Sequence, residues 1–189
     1  MLCPRALKEW AVIVDALGAG DQTILLRKGG IADVGGEFHL ESESFCLWPT
    51  YLHQDNDLLR PAETARLRAS LAAQPSPDEV DVTVWAEVAH IHIVPSRAAL
   101  DGLADEHIWS AAYLDQRWRY RPDLPLYLLV LRAHRLAHPL RLAESPAYRG
   151  CRSWIDFAAP PELPPWRPAL ADAAFAARAQ AVARALGGS

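Results

Sequence analysis

The chain has 189 residues, 51% of them hydrophobic, and a formal net charge of -4. That length suits one compact core with a tail and leaves two full domains cramped, while the acidic balance excludes a whole-molecule polyanion trap and leaves room for a local basic patch. The three cysteines, Cys3, Cys46 and Cys151, are widely spaced with no CxxC pair, so neither a structural zinc site nor a disulfide framework is expected. They read as inert thiols in a reducing compartment. The apolar run at the N-terminus is broken by Lys8, Glu9 and Asp15, which argues against a signal peptide. No stretch reaches the roughly 18 apolar residues of a membrane span. The expectation is a cytoplasmic protein with no membrane contact.

Leu7, Trp10, Val14 and Leu17 recur at steps of three and four, which predicts a helix over Ala6–Leu17, stopped by Gly18 and Gly20. A short β-type run follows at Gln22–Arg27, and then turns at Gly29–Gly30 and Gly35–Gly36. In Glu37–Leu47, Phe38 and Leu40 share one strand face and His39 and Glu41 the other, before Pro49 and Thr50 signal a bend. Pro61–Ala73 reads as a helix with proline in its first turn. Asp81–Val94 is the clearest strand, because Val82, Val84, Ala86 and Val88 alternate with Asp81, Thr83, Trp85 and Glu87. Ser96–Leu114 reads as two helical pieces around Gly102, RWRYRPD as an extended run, and Leu126–Leu131 as a strand buried on both faces. YRGCRSWIDF supplies a last strand or turn. From Ala158 the chain is proline-rich and then alanine-rich. The division expected is one domain over 1–157 and a stiff linker with an appended helix over 158–189, packed on the domain or on a partner.

Strands are not regularly followed by helices, so a doubly wound fold is disfavoured. The class is α+β, a small mixed barrel or sheet with peripheral helices.

Three runs could carry chemistry. In RWRYR, an extended chain would put Arg117, Arg119 and Arg121 on one side and Trp118 and Tyr120 on the other; arginines neutralise phosphates and aromatic faces stack on unpaired bases. A surface strand that buries its aromatics explains the same residues. RKGG places Arg27 and Lys28 before two glycines that would let a backbone approach a phosphate, but it lacks the Walker spacing. WPTYLHQ gathers Trp48, Thr50, Tyr51, His53 and Gln54, a set able to line a pocket that reads a base edge, or else to plug a bend. His90 and His92, two apart, share a strand face, and His134 and His138, four apart, invite the same reading, yet no third ligand or HExxH is identifiable. No metal or cofactor is therefore expected. Glu9, Glu41, Glu43 and Glu87 offer carboxylates, none followed two residues later by Lys as in a metal-dependent nuclease.

The segment ALKEWAVIVDALGAGDQTILLRKGG, then FCLWPTYLHQ, then YRGCRSWIDF, resembles in order a bacterial family, domain of unknown function 1802, over roughly residues 6 to 157. A more distant resemblance links Gly20 to Arg27 with the GxKxxExR motif of the ASCH branch of the PUA-like superfamily. Gly20 and Arg27 match; Gln22 stands in place of the lysine and Leu25 in place of the glutamate. This resemblance implies a PUA-like barrel, a ligand-facing Arg27 and a cleft for RNA or a modified base beside the first helix.

Three functions are then expected in order. The first is a module for single-stranded RNA or a modified nucleobase, with Arg27 and Lys28 on phosphate, Trp48, Thr50, Tyr51, His53 and Gln54 around the base, and Arg117, Arg119 and Arg121 on the backbone. The second is a protein-interaction subunit acting through the C-terminal helix. The third is a divergent metal-dependent nuclease or nucleotide hydrolase that uses Glu9, Glu41, Glu87, Lys28 and His53.

Overall fold

The structure, a computed structural model, describes residues 1–28, 33–34, 37–38, 42–150 and 153–187. The glycine pairs 29–30 and 35–36, the His39, Leu40 and Glu41 positions, and Cys151 lie outside the described residues.

The chain begins with strand β1 (Arg5–Trp10) and helix α1 (Ala11–Ala19). Strands β2 (Ile24–Arg27), β3 (Asp33–Val34), β4 (Glu37–Phe38) and β5 (Ser44–Thr50) follow. After a 3₁₀ turn at Pro61–Glu63 come helix α2 (Thr64–Ala72) and the long strand β6 (Glu79–Ile93). A 3₁₀ segment (Ala98–Glu106) leads to α3 (Ala111–Arg119) and the longest strand, β7 (Tyr127–Ala143). Strands β8 (Trp154–Asp156) and β9 (Trp166–Pro168) precede helix α4 (Asp172–Ala185).

Seven strands form one mixed sheet in the order β2-β7-β6-β5-β1-β8, with β9 added to β7. The α+β class holds. The pairing is an open path from β2 to β8 among the described residues, so of the barrel or sheet expected, the hydrogen bonds draw a sheet. β6 and β7 form the centre through a long antiparallel ladder, with register shifts at Val82/Val84 and Val88/His90.

The expected helix over Ala6–Leu17 is corrected. Its first half is β1, paired parallel to β5 (Ala6↔Cys46 to Trp10↔Thr50) and antiparallel to β8. Ladders on both edges, the second over Arg5–Leu7, give the segment's backbone groups strand partners, and they outweigh the helical spacing of its apolar residues. The second half is α1, which ends as expected on Gly20 at φ 80°. Gly18 does not stop the helix: a Cβ there would lie 2.7 Å from Val84 Cγ2, so glycine allows α1 to press onto β6.

Two apolar clusters lie on the two faces of β5. Phe45 and Leu47 join α1, β2 and β7, while Cys46 and Trp48 join Cys3, Trp85 and Ile155, as the two-residue side-chain period of a strand dictates.

The C-terminal segment packs on its own domain. Ala179 and Val182 are buried with the main cluster, and Trp166 meets Trp85 edge-on at 4.9 Å. The Arg178 guanidinium donates through Nε to Glu106 Oε2 at 2.8 Å, through Nη1 to the Gly20 carbonyl, and through Nη2 to the carbonyls of Asp105 (2.5 Å) and Asp21 (3.3 Å). One side chain thus ties α4 to the end of α1 and to the 3₁₀ segment. No helix among the described residues is long and apolar enough to cross a membrane.

Candidate functional site

The first turn of α1 is where the chain gathers charged groups that a core would not need. Because β1 runs straight into α1, Glu9 stands at their junction, 8% exposed. One of its carboxylate oxygens accepts the Trp10 amide at 2.8 Å and the other accepts Arg27 Nη2 at 2.8 Å. Arg27, the last residue of β2 and also 8% exposed, donates further to the Lys8 carbonyl at 3.3 Å, while its Nε–H is buried with no partner.

α3 closes the other side. Tyr113 is buried, meets Trp10 at 5.9 Å between ring centroids and stacks on Trp109 at 4.7 Å. Arg117, one turn on, lies with its guanidinium carbon 5.8 Å from the Tyr113 ring centre, and its Nε–H is likewise buried and unpartnered. Burial pushes the Tyr113 hydroxyl above its usual range, with the charges of Arg117, Glu9 and Arg27 acting on it in turn. Lys28 is buried too; it donates to the Trp118 carbonyl at 2.5 Å and lies 5.6 Å from that indole's centre. Desolvation lowers its ammonium below the ordinary lysine value, partly offset by Asp123.

The loop after β5 fixes the helix end. Gln54 Oε1 accepts the Val12 amide at 3.0 Å, its Nε2 donates to the Tyr51 carbonyl at 3.4 Å, and Thr50 Oγ1 donates to the Glu9 carbonyl at 3.1 Å. Gln54 thereby supplies an N-terminal cap that Trp10 cannot, since Trp10 makes no side-chain cap bond. His53 turns the loop at φ 62° and is exposed.

The structure thus gathers Arg27, Thr50, Gln54 and Arg117 around the head of α1, with Lys28 beside Trp118 and the half-buried Tyr51 accepting Gln54 on its carbonyl, and separates the rest. Trp48, expected to line a base pocket, is 1% exposed and packs against Tyr148 and Phe157; it faces the opposite side of β5 from Leu47, so stacking on a ligand would require unpacking the core. Arg117, Arg119 and Arg121 do not share one face of an extended run. Ser110 caps α3 by accepting the Tyr113 amide on its Oγ at 3.4 Å, the helix continues through Arg119, and the three arginines diverge.

Glu9, Trp10 and Tyr113 join the site without being expected around a base. Glu9 was legible as a carboxylate, but its partner is Arg27; Tyr113 carries no local signal, since only the packing of α3 brings it here. Of the other carboxylates, Glu41 lies outside the described residues and Glu87 is engaged elsewhere. Glu87 accepts from or shares a proton with His134 Nε2 at 2.9 Å, and His134 stacks on Trp85 at 4.2 Å. His90 and His92 share a face with rings 6.1 Å apart. Among the described residues, no three His, Cys, Asp or Glu side chains gather as a metal site.

The family model for a domain of unknown function, DUF1802, matches residues 6–181. The chain belongs to the DUF1802 family. The match runs beyond residue 157 into α4, so the DUF1802 model takes in the helix that Arg178 clamps to the sheet domain. No curated protein matches this DUF1802 chain. Solved structures similar to it include the ASCH protein of Zymomonas mobilis, at 12% identity and a TM-score of 0.46, covering 81% of this chain and 86% of that one. A serine-to-alanine mutant of the same protein gives 11% identity and a TM-score of 0.44, covering 83% and 91%.

Proposed function

We propose that this DUF1802 protein is a binding module for single-stranded RNA or a modified nucleobase, seated at the head of α1. The observation that carries the reading is the pair of buried guanidinium Nε–H groups of Arg27 and Arg117 that have no partner among the described residues. Buried donors left open cost about 1–3 kcal/mol each, and these two flank the same tyrosine. A phosphate or a base carbonyl supplies the missing acceptors. Arg27 pairs with Glu9, while Lys28 lies against Trp118 and Arg117 against Tyr113, so cations outnumber the directly paired carboxylate here inside an acidic protein. Trp118, half-buried beside Lys28, adds ring surface for an unpaired base.

The deciding experiment is a titration of labelled single-stranded RNA at several salt concentrations, with and without magnesium, followed by a gel. Binding that weakens with salt, leaves the RNA intact and drops in Arg117→Ala supports the module. Cleavage abolished by a chelator would replace it with a metal-dependent nuclease. Affinity that ignores both salt and Arg117→Ala ends the reading.

A further inference from the structure

Two cysteines far apart in the chain meet sulfur to sulfur. Cys46 lies in the middle of β5, paired with Ala6 of β1 on one edge and with Trp85 of β6 on the other. Cys3 lies just ahead of β1 and joins the same apolar cluster. Both thiols are free and buried, at 3% exposure for Cys3 and 0% for Cys46. The Cys3 thiol donates to the Arg5 carbonyl at 3.3 Å, and the two thiols hydrogen-bond to each other, a short movement from the geometry of an S–S bond.

Packing accounts for a buried cysteine as a small apolar residue. It does not ask for two of them in contact with unequal acidity. The hydrogen bond from Cys46 holds the Cys3 thiol below its ordinary value against the opposing effect of burial, with the Arg5 and Cys46 backbone helping. The same contact, followed by burial, pushes the Cys46 thiol up. The pair shares its protons unevenly, with the nucleophilic thiolate on Cys3.

Access differs in the same sense. Leu2 and Pro4, on either side of Cys3, are exposed. The segment is tied down by backbone bonds such as Cys3 N–H to the Pro161 carbonyl and Phe157 N–H to the Pro4 carbonyl, both at 3.0 Å. Opening such a segment costs less than opening a strand paired on both edges. A small reagent therefore reaches Cys3 first and leaves Cys46 as the resolving thiol.

We infer that Cys3 and Cys46 form a thiol–disulfide exchange site whose reagent is a small disulfide of the glutathione class. The Cys3 thiolate attacks one sulfur of that disulfide, making a mixed disulfide and releasing one reagent thiolate. With the charge on Cys3 gone, Cys46 loses its proton and attacks the Cys3 sulfur, so that the Cys3–Cys46 bond forms and the second reagent thiolate leaves. The two cysteines give up two electrons and two protons, and the reagent is reduced to two thiols that take them. The new bond closes a covalent loop around β1, α1 and β2, with Glu9 and Arg27 inside it.

The test incubates the full chain with oxidised glutathione, quenches with acid, counts the remaining thiols in denaturant and maps linked peptides by mass spectrometry. Wild type, Cys3→Ala, Cys46→Ala and Cys151→Ala are compared. Wild type is expected to lose two thiols and two hydrogens, with Cys3 joined to Cys46, and Cys151→Ala to do the same. Cys46→Ala stops at a glutathione adduct on Cys3, and Cys3→Ala stays reduced at Cys46. Alkylation of Cys3 by iodoacetamide reaches half its maximal rate at a lower pH in reduced wild type than in Cys46→Ala. A wild type that keeps its thiols, an adduct on Cys3 that never resolves, or a bond that takes in Cys151 instead each overturns the site. Should Cys46→Ala unfold, the wild-type and Cys151→Ala arms still decide.

Discussion

Two arginines, the half-buried Arg178 and the buried Arg27, each lie 2.8 Å from a buried carboxylate and are put to different uses. Arg178 on Glu106 has every nitrogen engaged: one carboxylate oxygen and three backbone carbonyls from two separate segments. Thr23 Oγ1 donates to the same Glu106 oxygen at 2.5 Å. Among the described residues, Arg27 bonds through Nη2 alone, to Glu9 and the Lys8 carbonyl, and its Nε–H has no partner. The first pair is closed and holds elements together. The second is open and is surrounded by further cations and rings. An ion pair says little by itself about role; the inventory of remaining donors separates a clamp from a site.

The comparison breaks most directly at Arg178. Arg178→Ala leaves Glu106 buried without its cation and should cost about 3 kcal/mol, read by urea unfolding; RNA affinity of the folded protein should not change. Loss of affinity with intact stability would invert the assignment. Beside the clamp, His107 is 3% exposed, and its imidazole is pushed down to about 4, first by burial and then by Arg60 and Arg97. The unfolded chain takes up this proton near pH 6.5 and the folded chain only near 4, so stability falls as pH drops through that window, by about 3 kcal/mol in full. Unfolding followed from pH 7 to pH 4 should show that loss, and His107→Phe should flatten it; an unchanged slope would assign it to other groups.

The open pair gives smaller numbers with a different signature. Arg117→Ala should weaken single-stranded RNA about tenfold and reduce the salt slope by roughly 0.7 for one lost phosphate contact. Its unfolding free energy should move by less than about 1 kcal/mol. Glu9→Gln removes the carboxylate paired with Arg27 and should strengthen RNA binding a few-fold; weaker binding would show that Glu9 orients Arg27 more than it opposes the ligand's charge.

Legibility in the sequence followed how local the deciding interaction is. Asp81–Val94 was readable because burial on one face writes its period into the residues, and β6 runs over nearly the same span. Gly20 was readable because a left-handed helix end favours glycine. Ala6–Trp10 was not: its ladder partners Cys46–Thr50 and Trp154–Asp156 are remote in the chain, and steps of three and four survive in a strand covered on both sides. RWRYR alternates like a strand, yet Ser110 ahead of Ala111 was a helix start that outweighed it. At the site, Arg27, Lys28 and Gln54 could be named from residue type. The pairing of Glu9 with Arg27, and the arrival of Tyr113, depend on β1 and α3 being brought to the same helix end.

The position of β1 also has a kinetic side. This strand lies between β5 and β8, and Arg5 meets Asp156 across 151 residues of chain at 2.5 Å. A chain leaving the ribosome therefore makes its first strand early and must keep it without its second neighbour until β8 has emerged. Such long-range pairing folds slowly and leaves a strand edge exposed meanwhile. For this protein the period of greatest risk of aggregation falls during synthesis, before Trp154–Asp156 closes over β1.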